Sequence, residues 1–166
     1  MKLLLLLPLV LIPPALAFGL NAWIVGNASE LPQLGSVADG LPPCPPGVDC
    51  VSSLAEDGAV GTLPFDGDPD QAFEDMLRFL RQDSNAEFVE FAGDYLHVVF
   101  VRQYLKLVED VELLLDREAG VFQVRAFERT GSPASDIRAR VASRAVRWDA
   151  LRARGTGDEE GSSPGR

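Results

Sequence analysis

The chain has 166 residues, a net charge of −10 and 46% hydrophobic residues, enough apolar content for one domain of ordinary size with a core. That charge excludes a nucleic-acid binder as a whole, because a phosphate backbone demands a basic surface.

The first stretch, Met1–Ala17, reads as an export signal. One basic residue precedes an apolar run, prolines end it, and Ala15-Leu16-Ala17 is a small-residue cleavage site. Apolar character resumes over Phe18–Val25, so the competing expectation is an uncleaved anchor over residues 3–26 that attaches the protein to a membrane. Either way the chain is expected to be exported, to a periplasm or the extracellular space, or held at a membrane. Residues 27–43 lack periodicity, carry Gly, Pro and Ser, and read as an extended linker before a domain over residues 44–154.

Cys44 and Cys50 flank Pro45-Pro46-Gly47 and are the only cysteines. In an exported chain this spacing predicts a disulfide closing a tight loop, worth about 2–2.5 kcal/mol by chain entropy. A metal pair would lack partners, since His97 is the only histidine, and a redox pair needs Cys-x-x-Cys at a helix start. No metal site and no cofactor are therefore expected.

Asp66–Gln82 is predicted to be a helix, with Asp68 as cap, Pro69 in the first turn and Gln71 three residues past the cap. Phe73, Met76, Leu77 and Leu80 form its apolar face. Ala86–Ala92 and Tyr95–Arg102 then read as a hairpin around Gly93-Asp94. Pairing Phe91 with Leu96 and Val89 with Val98 would bury one face and set Glu90 beside His97. Gln103–Leu107 is expected to break the sheet.

A second hairpin centres on the turn Arg117-Glu118-Ala119-Gly120. If Asp116 faces Val121, then Leu115/Phe122, Leu113/Val124 and Val111/Ala126 share an apolar face. The opposite face sets Glu112 against Arg125, and Asp110 diagonal to Arg125 and Arg129. This patch has two readings. One is an ion-pair cluster that fixes strand register on a half-solvated face. The other is a ligand site in which Asp110, Glu112, Arg125 and Arg129 hold an anionic group or tune a carboxylate.

Ser132–Arg154 reads as the last helix, started by Ser132-Pro133 or by Ser135-Asp136, with Ile137, Val141, Trp148 and Leu151 on one face. Arg144 falls within that face. Glu109 and Glu128 alternate onto the apolar sheet face directly opposite each other, so Arg144 is expected to neutralise both. Eight of the fifteen basic residues lie in Arg125–Arg154, whereas Asp39–Asp116 is strongly acidic. Residues 155–166 are Gly, Ser and acid and read as a disordered tail.

The order Cys-Pro-x4-Cys-Val-Ser-Ser from Cys44 to Ser53, Tyr95-Leu96-His97, Glu109-Asp110-Val111-Glu112, and Val-Arg-x3-Arg-x-Gly from Val124 to Gly131 resembles the DUF1499 family. The resemblance covers roughly residues 42–154. Glu109 stands where the family usually has Asp, and Ala126-Phe127-Glu128 where it has Ser-Ala-Ser. The family's name assigns no function, so the resemblance implies architecture alone.

Helix, hairpin, hairpin, helix without βαβ alternation predicts an α+β fold. The expectation is an antiparallel sheet of about four strands, two amphipathic helices on one face, and the other face partly open. Two functions follow. The first is an exported, non-catalytic binding or envelope-associated module with no partner identified. The alternative is a small hydrolase or transferase using Asp110, Glu112 and Arg125. No Gly-x-Ser-x-Gly elbow or Cys-His pairing supports the enzyme, and flanking arginines lower carboxylate pKa values.

Overall fold

The turn at residues 117–120 sets the register from which the sheet is built. Strands β5 (Leu107–Asp116) and β6 (Val121–Glu128) pair with Asp116 facing Val121, Glu112 facing Arg125 and Glu109 facing Glu128, as the alternation predicts. The computed structural model describes residues 34–36, 38–56, 60–102, 107–129 and 131–160, without the side chains of 155–160. All fall in the unit Leu31–Arg166. The expected signal 1–17, the anchor 3–26 and residues 103–106 lie outside the described residues.

Among the described residues the fold is α+β, with an antiparallel sheet of six strands and two helices. The sheet order is β1-β6-β5-β4-β3, where β1 is Cys50–Ser52, β3 is Ala86–Ala92 and β4 is Tyr95–Arg102. The two-residue strand β2 (Leu63–Pro64) also pairs with β6. Sequence reading expects about four strands because β1 and β2 are too short to show a period. What ends β1 is a side chain: the Val124 amide donates to Ser53 Oγ, while the Ser53 amide donates to the Val124 carbonyl.

Helix α1 (Pro69–Arg81) starts where its capping residues require, with Asp68 accepting from the Gln71 amide. Helix α2 (Ala134–Glu160) is longer than expected, continuing through residues 155–160, which read as tail. Met76, Phe79 and Leu80 of α1 and Ile137, Val141 and Trp148 of α2 share one core with Val98, Val111, Leu113, Phe122 and Val124 of the sheet. Trp148 packs edge-on to Phe79 and Phe122, and its Nε1 donates to the Pro64 carbonyl at 2.7 Å.

The first hairpin departs from its expected register. Gly93 adopts φ +58° at the turn, and Phe91 does face Leu96, but an irregularity between Phe88 and Glu90 puts Phe88, not Val89, opposite Val98. Val89, at the irregularity, is 58% exposed, and Phe91, in its expected register, is 60% exposed on this edge strand. A bulge inserts one residue and rotates those behind it, which no alternation rule reads from sequence. Leu107, expected to lie in the break, already pairs with Arg102 as the first residue of β5.

Where the helix-side core ends, Glu109 and Glu128 meet across β5 and β6. Arg144 donates to Glu109 at 2.7 Å, with its guanidinium stacked 3.8 Å above the Phe100 ring. Arg140 shares the neutralisation. Arg140 donates to Glu109 at 2.5 Å and lies 3.7 Å from Glu128, which also accepts from the Ser132 amide. Two arginines one helical turn apart thus hold two like charges together. Arg144→Met keeps most of the volume and leaves Glu109 only Arg140. The expected loss in chemical denaturation is about 3 kcal/mol, the lower end for a broken buried pair. A loss under about 1 kcal/mol, the exposed-pair range, would contradict it.

Candidate functional site

Strand alternation sends Asp110 and Glu112 to the sheet face opposite the helices, together with Tyr95, His97, Arg125 and Phe127. That face is not half-solvated as expected. Asp110, Glu112 and Arg125 are each 0% exposed, Tyr95 is 0% and His97 is 1%.

Part of the cover is the stretch read as linker. Ser36 and Gly40 pair through two backbone hydrogen bonds, and Leu41 is buried. The Gly35 amide donates to Glu112 Oε1 at 2.5 Å. A side chain could not stand there, because a Cβ on Gly35 would lie 2.7 Å from the Gly40 carbonyl and 3.2 Å from Glu112 Oε1.

Glu112 collects two further donors. Tyr95 Oη donates to Oε1 at 2.7 Å and Arg125 Nη1 to Oε2 at 2.5 Å. Arg125 also lies over the Phe127 ring, 5.2 Å from its centroid. Burial, reinforced by the bond to the Glu112 carboxylate, pushes the Tyr95 phenol well above its ordinary range, so it remains a donor.

Asp110 forms the second centre. His97 Nε2 lies 2.8 Å from Oδ1, and Arg129 closes a fork with Nε at 2.7 Å from Oδ2 and Nη2 at 2.8 Å from Oδ1. Burial alone would raise this carboxyl. The bonds from Arg129 and His97 outweigh it and hold the group below the usual carboxylate range. A carboxylate only accepts, so His97 Nε2 carries the hydrogen, and the buried Nδ1 has no partner among the described residues. Glu90 shares His97's register position but is exposed, so the expected Glu90–His97 pair is replaced by His97–Asp110.

The four candidate residues therefore do come together, as two linked ionic centres. Sequence reasoning put His97 on this face but beside Glu90, and it missed Tyr95 and Gly35. Tyr95 and His97 reach the cluster diagonally across β4 and β5, a register fixed only by a connection whose length gives no turn type. Gly35 had no signal beyond being a glycine. Among the described residues no three metal ligands come together, and no helix is long and apolar enough to cross a membrane.

Cys44 and Cys50 form a disulfide with Cα atoms 5.6 Å apart, delivering the chain into β1, where Cys50 pairs with Phe127 beside the ionic face. A family model described as "Protein of unknown function (DUF1499)" matches residues 40–143, well over half the chain. The chain belongs to the DUF1499 family. No curated protein and no solved structure matches it. The DUF1499 match spans the disulfide loop, all six strands and the first turns of α2, so the side chains of both ionic centres lie inside it, while the Gly35 donor precedes it.

Two outcomes check this geometry. Because Asp110 releases its proton at lower pH folded than unfolded, its stabilisation is complete above the unfolded value of about 3.9 and is lost as pH falls through the folded one. Asp110→Asn should therefore lose stability at neutral pH, and the gap from wild type should shrink below about pH 4 in denaturant titrations. Gly35→Ala should displace the segment over Glu112 and bring the Tyr95 phenol back toward its ordinary range of about 10, read by alkaline absorbance titration.

Proposed function

We propose that this DUF1499 protein is an exported, non-catalytic binding module whose ionic sheet face is scaffold. The observation that carries the reading is the commitment of both buried carboxylates to internal donors. Glu112 is held by Tyr95, Arg125 and Gly35, and Asp110 by His97 and Arg129. An acid catalyst needs a raised pKa and access to substrate. Asp110 has the opposite shift and no exposure. A hydrolase or transferase built on Asp110, Glu112 and Arg125 would have to break these bonds before it could touch a substrate.

Export is supported by the Cys44–Cys50 disulfide, a bond that persists in oxidising compartments, and by the leader-like composition of residues 1–17. Fractionation of producing cells tests it, with alkylation of free thiols before lysis. The expected result is protein outside the reducing compartment with Cys44 and Cys50 blocked until reduction. Recovery in that compartment with two alkylated thiols would overturn the export reading.

A further inference from the structure

The buried carboxylates of the sheet are committed to internal donors, and a separate recess lies on the surface. A cleft of about 510 Å³ opens between the loop after β2, the start of α1 and the last described turns of α2. Ligand pockets of small molecules run to roughly 300–1,000 Å³, so the size fits.

The inner wall is apolar and set in advance. Phe65, Trp148 and Leu151 line it. Trp148 is fixed by its bond to the Pro64 carbonyl and its edge contacts with Phe79 and Phe122, and Phe65 packs on Phe122 at 5.6 Å. The rim is acidic: Asp66, Asp68 and Asp75 line it with Arg152, and Arg78 pairs with Asp75 from beside it, so carboxylates outnumber arginines by one. Arg152 is itself held by Asp66 and Asp149. The start of α1 adds about half a positive charge, less than the surplus of carboxylates over arginine.

We propose that this cleft binds a small organic cation, with an apolar body on Phe65, Trp148 and Leu151 and an ammonium or amidinium head at Asp68 and Asp75. Asp68 uses Oδ1 for the Gln71 amide, and Asp75 uses Oδ1 for Gln71 and Arg78. Each carboxylate therefore has a second oxygen for the head group. An anion would meet three carboxylates, and a neutral apolar molecule would leave the rim charge unanswered. The wall supplies affinity and the rim selects the sign. The proposal deepens the binding-module reading by naming its ligand class, and it rests on that reading only in this respect.

Trp23 and Trp148 are the two tryptophans, so in a Trp23→Phe background the emission reports the cleft. Benzamidine is titrated into the purified full chain, with benzoate and benzyl alcohol as matched anionic and neutral probes. Benzamidine should give a saturable change in Trp148 emission and bind at least about tenfold more tightly than either control. Asp68→Asn with Asp75→Asn should weaken it about fivefold, the scale of exposed charge pairs, and asparagine keeps the α1 cap intact. No saturable response to benzamidine, equal affinity for benzoate, or indifference to the double substitution would overturn the assignment. Since the titration uses purified protein, it fails or succeeds independently of where fractionation finds the chain.

Discussion

A single carboxylate, that of Glu112, has to be satisfied with no access to water. An unpaired ion in such a place costs several kcal/mol, far more than any one hydrogen bond returns, so the chain must bring donors to it. Three arrive from three places: Tyr95 on β4, Arg125 on β6 and the Gly35 amide ahead of β1. The central strand is thereby locked to both neighbours. A stretch whose composition reads as linker becomes an ordered cover, because its backbone supplies the donor that no neighbouring strand provides.

The acidic run Glu109-Asp110-Val111-Glu112 would repel itself on one surface. Strand alternation divides it. Glu109 points to the helix side, where Arg140 and Arg144 meet it, while Asp110 and Glu112 point to the covered face and meet Arg129 and Arg125. Each acid finds a guanidinium, and the fork geometry of arginine suits a carboxylate better than lysine would. The helix-side face is apolar and ends in ions, whereas the covered face carries its ions in the middle of its central strands.

The β5–β6 hairpin was legible residue by residue, because a four-residue turn and a strict alternation leave one register that buries the apolar side chains. The α1 cap and the disulfide were legible for similar reasons, each depending on residues a few positions apart. The bulge at Val89 was not, since an inserted residue leaves composition and hydropathy unchanged. Arg140 looked like one more arginine on the flank of a helix until Glu109 and Glu128 were placed beneath it.

Local pattern thus determined the fold class, the apolar faces, the second hairpin and the identity of the charged residues that gather on it. Only the tertiary structure decided that their face is covered, that His97 turns to Asp110 and not Glu90, and that the Gly35 amide reaches Glu112. The reason is one of range. Turns, caps and strand alternation act over a few residues along the chain. The partners of a buried charge are selected by desolvation, which depends on what lies across space, as it does for Gly35 and Glu112, 77 positions apart.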